Sequence, residues 1–594
     1  LQNLGVNAVQ LMPIAEFDGN DSWGYAPNFY YATDKAYGTK DDYKKFIDEC
    51  HKRGIAVILD VVYNHQFGGS PLVQLYWDEE NNRPASNSAW FNPIATHPYS
   101  VGYDFNHESI HTRELVKDNL SYWLTEFKVD GFRFDLSKGF TQNYTGDDVG
   151  AWSEYDQSRI NIIMDYKAHV YSVNENAYFI LEHFANNDEE VVLANAGCLM
   201  WGVMTTQFAQ STMGWNSNHD FSWANYQTRG YTYPNLIPFM ESHDEERIMY
   251  KNIAYGNTIA GDTIASLYKT EAAAVMYMTI PGPKMIWQFG ELGYDESIEL
   301  CWDGLYSHDC RTSSKPIHWE YTQNFYRQKL YWVYASMAKL KKENEAFLCG
   351  NCYSQDLSGM GKRMWISHAS MNVVVTANFS ADGFDMQPGF QHGGTWYNYF
   401  TGESINVTDP GGHTIYYNSG DYTVFTSVQV PKPYVYLVFN VKNQSGVNIE
   451  DANVEIVGYA NVLTNSSGNA DFLYGSNSTI EYTVTATGYL PAYGTLNLGT
   501  TDHTEYVVLQ PTTNIDEFPD SDIVLYPNPT QNLITVSCND LYKISVYDIS
   551  GKRIITTQMY STQQNIDLSS LNSGVYTFVF ENNSKIEVRK VIVK

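Results

Sequence analysis

Over the first 345 residues, short and nearly continuous apolar runs alternate with segments whose apolar residues recur at intervals of three and four. The runs are 7–14, 55–61, 129–134, a strand YFILEHF ending at Glu182, 197–204, 236–241 and 284–288. Between them, a helix starts at Thr39 with a Thr39/Asp42 capping spacing and an inner face of Tyr43, Phe46, Ile47 and Cys50, and Gly54 sits at the position that ends it. Further helices are predicted from about Ser109 and over 154–173, 263–279 and 325–342. Alternating strands and helices, with strands apolar on both faces, predict a parallel sheet covered on both sides. The reading is an α/β (β/α)8 TIM barrel over 1–345 with seven strands, the second to the eighth. Its first strand is truncated, because the chain opens on a helix end running into a strand.

After residue 345 the pattern shifts to short alternating strands separated by Gly, Asn and Thr turns, which predicts all-β sandwich domains. Three blocks are expected, at 346–430, 433–510 and 523–594, with a polar linker at 511–522 before the last.

Four barrel strands turn polar at their C-terminal ends, in Asp60/Asn64/His65, Arg133/Asp135, Glu182 and His243/Asp244. A barrel opens the C-termini of all its strands on one face, where such folds carry active sites. Acids and histidines far apart in sequence therefore converge. Arg133 and Asp135 are two apart and so project from one face of their strand. A guanidinium beside a carboxylate favours its ionised form, as a nucleophile requires.

Composition narrows the chemistry. At 594 residues the chain exceeds a single core. A formal charge of −30 argues against nucleic acid and anionic membranes as partners. Aromatic residues make up 15%, an excess that suits stacking on sugar rings. Among seven cysteines, Cys301/Cys310 and Cys349/Cys352 are close enough in sequence for local disulfides. No stretch is long and apolar enough to be a transmembrane segment.

On these residues the chain resembles glycoside hydrolase family 13, the α-amylase family. DVVYNH, GFRFD, the strand ending in Glu182, and ESHD match its four signature regions in order, and SWGYAP, YDFNH and PGPKMIWQFGE resemble further recurrent segments. The resemblance implies that Asp135 is the nucleophile, Glu182 the general acid/base and Asp244 a third acid that clamps sugar hydroxyls. It implies that His65 and His243 donate to the sugar, Tyr25 is an aromatic platform, Lys138 reaches the leaving-group side, and Asp60 orients Arg133. A retaining glycosidase needs an ionised carboxylate and a protonated one about 5–5.5 Å apart. Arg133 is expected to keep Asp135 ionised, and apolar neighbours of Glu182 to raise its pKa. Calcium is the one cofactor the resemblance raises, with Asn64 as a ligand. The chain departs from the family where Lys138-Gly139 replaces the frequent Lys-His.

The last block, with LYPNPT, KISVYDISGKRI and GVYTFVF, resembles the type A sorting domain of type IX secretion. Residues 433–510 loosely resemble Ig-like or carboxypeptidase-regulatory modules. The expectation is a retaining hydrolase of α-1,4 bonds in α-glucan polysaccharide or oligosaccharide, handled by the type IX machinery. It would be secreted or held at the outer-membrane surface of a Gram-negative bacterium, its signal peptide lost with the N-terminus. The alternatives are a branching or transglycosylating enzyme, an α-1,6 debranching enzyme, and a catalytically inactive glucan-binding protein.

Overall fold

In the computed structural model, residues 1–512, 523–582 and 585–594 are described. Six strands form one parallel sheet in chain order: β1 (Ala8–Leu11), β2 (Ala56–Val61), β3 (Gly131–Phe134), β4 (Tyr178–Leu181), β5 (Leu199–Val203) and β6 (Leu236–Phe239). Each pair is parallel. Helices cross between them, among them α1 (Lys40–Lys52), α2 (Ile110–Tyr122) and α3 (Gln157–Val173). Thr39 and Asp42 do form a reciprocal capping box on α1. Phe46, predicted to face inward, is 38% exposed. The helix predicted from 154 begins at Gln157, because Asp156 caps it by accepting from the N–H groups of Ser158 and Arg159.

The sheet is a partial barrel. The run 284–288 does not form the expected seventh strand; only Met285 pairs, bridging in parallel to Phe239. Pro281 and Pro283 just before it lack N–H groups to donate. On its far side lies a cavity of about 2300 Å³, lined by Leu1–Met12 as well as Met285–Gln288, so no neighbour completes a ladder there.

Two further helices, α4 (Thr263–Thr279) and α5 (Phe325–Glu343), carry the sheet's outer layer into a larger core. The fully buried strand β7 (Val373–Asn378) packs on α4. It belongs to a six-stranded sheet spanning 353–426. A three-stranded and a four-stranded sheet follow over 434–509, and Trp332 of α5 donates its indole N–H to the Leu473 carbonyl there at 2.7 Å.

The chain divides into two compact units, 1–487 with 491–509, and 488–490 with 510–594. The second is built from a three-stranded and a four-stranded sheet closing on Ile534, Val536, Ile544, Val546, Phe578 and Phe580. The predicted linker lies outside the described residues from 513 on. Among the described residues no helix is long and apolar enough to cross a membrane.

Candidate active site

Strand periodicity builds the site. Alternate side chains share a face, so one face of the sheet carries Ile58 and Asp60, Arg133 and Asp135, Ile180 and Glu182, Leu199 and Trp201, and Ile237 and Phe239. The apolar members pack together inside the barrel, and the ionisable ones lie at the C-terminal rim. The register pairs Asp60 with Arg133, and Phe134 with Leu181. Asp135 and Glu182 therefore leave neighbouring strands at the same level. Their N–H groups still donate across the ladder, to Val61 and Phe134 carbonyls at 3.0 and 3.1 Å.

Arg133, fully buried, is the hub. Its Nη1 donates to both Asp60 oxygens at 2.7 Å and to Asp135 Oδ1 at 3.0 Å. Its Nη2 lies 3.0 Å from Glu182 Oε2. The guanidinium sits 4.1 Å from the Trp201 ring centre. Tyr25 donates its hydroxyl to Asp60 at 2.8 Å and stacks on His243 at 5.0 Å. His243 Nε2 lies 3.0 Å from Asp244 Oδ2. The structure thus brings Tyr25, Asp60, Arg133, Asp135, Glu182, His243 and Asp244 together. His65 joins them indirectly, its Nε2 held 2.8 Å from the Tyr25 carbonyl oxygen.

The electrostatics differ from the sequence expectation. Burial, then the charge of Glu182, push the Asp135 carboxyl well above the usual carboxylate range, outweighing Arg133. The reason is that Arg133 divides one positive charge among Asp60, Asp135 and Glu182, where the sequence suggested a private pair. Glu182 accepts the Leu136 N–H at 2.8 Å in addition to facing Arg133, so its surroundings are not simply apolar. Burial raises Asp244, but His243, Arg133 and Arg311 overcome it and hold that carboxyl at about 2. Asp60 is raised by burial against the opposing pull of Arg133.

Lys138 is buried, and its ammonium is committed to the Phe184 carbonyl at 2.9 Å and Ser153 Oγ at 3.1 Å, over the Trp152 ring. Burial pushes it down to about 8. In this arrangement Lys138 fastens the turn that follows Glu182.

The residues around Asn64 do not fit calcium. Asn64 Oδ1 and Asp104 Oδ1 are buried without hydrogen-bond partners. The group they face is an imidazole: His97 Nε2 lies 3.3 Å from Asp104 Oδ1, while its Nδ1 is 2.7 Å from the Pro98 carbonyl oxygen. Ca²⁺ takes about six to eight oxygens, and the ring of His97 stands in their place, stacked on Trp152. The departure at Gly139 follows from the same packing. A Cβ there would fall 1.7 Å from Asn64 Oδ1 and 2.8 Å from His97 Nε2. Among the described residues, the one His/Cys/Asp/Glu group close enough to hold a metal is Cys349, Cys352 and His368, and its two thiols are joined in a disulfide.

Three contributors escape sequence reasoning. Trp201 had a signal, being two residues from Leu199 on an inward face. Arg311 had none: it reaches Asp244 from a loop 67 residues later, donating to its carbonyl oxygen and lying 3.4 Å from Oδ1. Glu189 is buried and accepts from Arg159 Nε at 2.7 Å and Nη2 at 2.6 Å, with His183 Nε2 also at 2.7 Å.

Residues 1–100 match the family profile for the alpha amylase catalytic domain, and 524–594 that for the secretion system C-terminal sorting domain. A malto-oligosyltrehalose trehalohydrolase of Saccharolobus solfataricus is 36% identical over 144 residues, 24% of each chain. A 1,4-alpha-glucan branching enzyme GlgB of Oceanobacillus iheyensis is 24% identical over 458 residues, 69% of this chain and 65% of that one. The matches span from about a quarter to two thirds of the length of these relatives. Among solved structures, a trehalose-6-phosphate hydrolase of Bacillus licheniformis superposes with a TM-score of 0.56 at 17% identity, over 72% of this chain and 93% of that one. An alpha-amylase from Geobacillus thermoleovorans does so with a TM-score of 0.54 at 16% identity, over 72% and 89%. These likenesses show the fold.

Proposed function

We propose that this chain, a member of the α-amylase family of glycoside hydrolases with a C-terminal secretion-system sorting domain, hydrolyses α-1,4-glucosidic bonds in starch- or glycogen-type glucans with retention. The observation that carries the reading is that Asp135 and Glu182, leaving adjacent strands at one level, share the single guanidinium of Arg133.

The chemistry requires Asp135 ionised and Glu182 protonated once the glucan is bound. With the proton on Glu182, ionised Asp135 attacks the anomeric carbon while Glu182 gives its proton to the departing glycosidic oxygen. A glycosyl ester on Asp135 and a free sugar hydroxyl result. Glu182, now a carboxylate, takes a proton from water; the hydroxide oxygen displaces Asp135 and restores the starting state. Arg133 stays within reach of both acids, so neither step leaves a buried charge unpaired. Asp244, held ionised by His243, is placed to grip hydroxyls of the sugar as charge builds on its ring, and Tyr25 offers an aromatic floor. Asp60 holds Arg133 and Tyr25 in place.

Replacing Asp135 by Asn tests the assignment: reducing-sugar release from soluble starch must vanish while the circular dichroism spectrum stays unchanged. Undiminished release would refute it. Transglycosylation is the second reading, supported by the similarity to a branching enzyme. In that case a sugar hydroxyl replaces water in the second step. Chromatography of products from amylose separates the two, since hydrolysis shortens chains and branching creates isoamylase-sensitive bonds. The sorting domain supports export through the type IX machinery to the outer-membrane surface or beyond. Full-length protein found only in cytosol would contradict that.

A further inference from the structure

Beside the acids lies a hairpin that the mechanism does not use. It starts at Glu299, turns at Trp302–Gly304 and returns by Ser307, whose N–H donates to the Glu299 carbonyl at 3.0 Å. Two bonds close the turn, Cys301 N–H to the Leu305 carbonyl at 2.7 Å and Gly304 N–H to the Cys301 carbonyl at 3.0 Å. The Cys301–Cys310 disulfide ties its base, with Cα atoms 5.2 Å apart. It is also moored to the segment after β6: Glu246 accepts from Ser297 Oγ at 2.7 Å and the Ile298 N–H at 3.0 Å, and Arg311 reaches Asp244.

This rigid support holds Trp302 out into solvent, 92% exposed. Leaving an indole in water forgoes the burial that large aromatic side chains normally gain. Trp302 does not stand alone. Tyr306 on the same hairpin lies 6.2 Å from the Tyr250 ring, and Tyr250 lies 6.3 Å from that of Tyr255. Trp215 then donates its indole N–H to the Tyr255 carbonyl at 2.9 Å. Tyr306, Tyr255 and Trp215 are all exposed. A strip of rings thus leads away from Asp244 over the surface, with one end joined through Arg311 to the acid itself.

We infer that this strip, Trp302–Tyr306–Tyr250–Tyr255–Trp215, is a docking track for an α-glucan chain, which delivers polymer to the acids. Exposed rings present flat apolar faces to the C–H faces of successive glucose units, and phenol and indole groups keep polar edges for sugar hydroxyls. The track's continuity with the Asp244 end of the site commits it to the polymer cut there, so the inference rests on the proposed function for its ligand.

The test is affinity electrophoresis of the full chain through gels containing amylose, in the non-hydrolysing Asp135→Asn background. Binding is then read without turnover. Adding Trp302→Ala and Tyr306→Ala should weaken retardation about tenfold. In the active chain the same pair should raise KM for amylose by a similar factor and leave maltotriose turnover unchanged. Cys301→Ser with Cys310→Ser should loosen the hairpin and weaken retardation in the same direction. Equal retardation with and without the rings overturns the track. A chain that binds amylose through these rings but cuts no glucan instead overturns the hydrolase reading and leaves the track standing.

Discussion

Arg311 Nη2 lies 3.4 Å from Asp244 Oδ1 and also donates to the carbonyl oxygen of the same residue. One side chain therefore pins both the carboxylate and its backbone, from a loop that a disulfide closes one residue earlier. Asp244 is half exposed, so without Arg311 it is free to rotate toward water. Arg311→Ala should lower kcat on maltopentaose about tenfold with a smaller change in KM, because a grip that strengthens in the transition state is lost. Arg311→Lys should recover part of the rate. A raised KM with kcat unchanged in both variants would show that Arg311 acts on binding alone.

Asp135 makes a second prediction, with opposite signs for activity and stability. Its carboxyl is raised by burial and by Glu182, so the folded protein binds that proton more tightly than the unfolded chain does. The stability it contributes is full below the unfolded value of about 3.9 and falls as pH rises toward the folded value. Asp135→Asn should therefore cut activity at least about 10³-fold and yet raise Tm at pH 7 by a few degrees. That gain should fade below about pH 4. A Tm increase that persists at pH 3 would mean that the substitution stabilises by packing instead.

Much of this site could be read from the sequence because strand geometry is local. Two-residue periodicity fixes which of Asp60, Arg133, Asp135 and Glu182 face inward, and parallel order brings their ends to one rim. The charge distribution could not be read in the same way. That Arg133 serves three carboxylates depends on the register of three strands, which no single strand encodes. Lys138 shows the same limit: its position beside the nucleophile strand was legible, but its rotamer is set by Phe184, Ser153 and Trp152, which come from elsewhere. The run 284–288 had the composition of a strand and formed only the Met285–Phe239 bridge, because a ladder depends on which distant backbone lies alongside, which a single run does not encode.

His97 yields a third prediction. With its imidazole set against Asp104 and stacked on Trp152, the pocket of Asn64 is filled by the protein itself. Removing calcium with EGTA should leave Tm within about 1 °C, since a ligand that binds the folded state would otherwise be lost with its stabilisation. His97→Ala should cost about 1–3 kcal/mol by removing the buried imidazole that lies 3.3 Å from Asp104 Oδ1 and stacks on Trp152. A Tm that falls with EGTA and returns with calcium would show that oxygen ligands assemble there after all.

Next to Glu182, a buried network fixes where that acid points. Ser137 Oγ donates to the Glu182 carbonyl at 2.8 Å and lies 3.0 Å from His183 Nδ1, while the other nitrogen of His183 meets Glu189 at 2.7 Å. Glu189 also takes two bonds from Arg159 and one from the Asp156 N–H at 2.8 Å. Burial raises its carboxyl, but His183 and Arg159 overcome that and hold it below the usual range. It therefore stabilises the fold at neutral pH, and this contribution is lost as pH falls through the folded value. Glu189→Ala strands Arg159 as an unpaired buried charge and should cost about 3–5 kcal/mol, measured by urea denaturation at pH 7. Glu189→Gln keeps the shape and one of the two acceptor oxygens but not the charge, so it should fold at reduced stability. Its kcat should fall with KM nearly unchanged, since Glu189 acts on the chemistry only through the orientation of Glu182. If Glu189→Gln lost stability but kept full kcat, the network would be a brace for the fold with no part in aiming the acid.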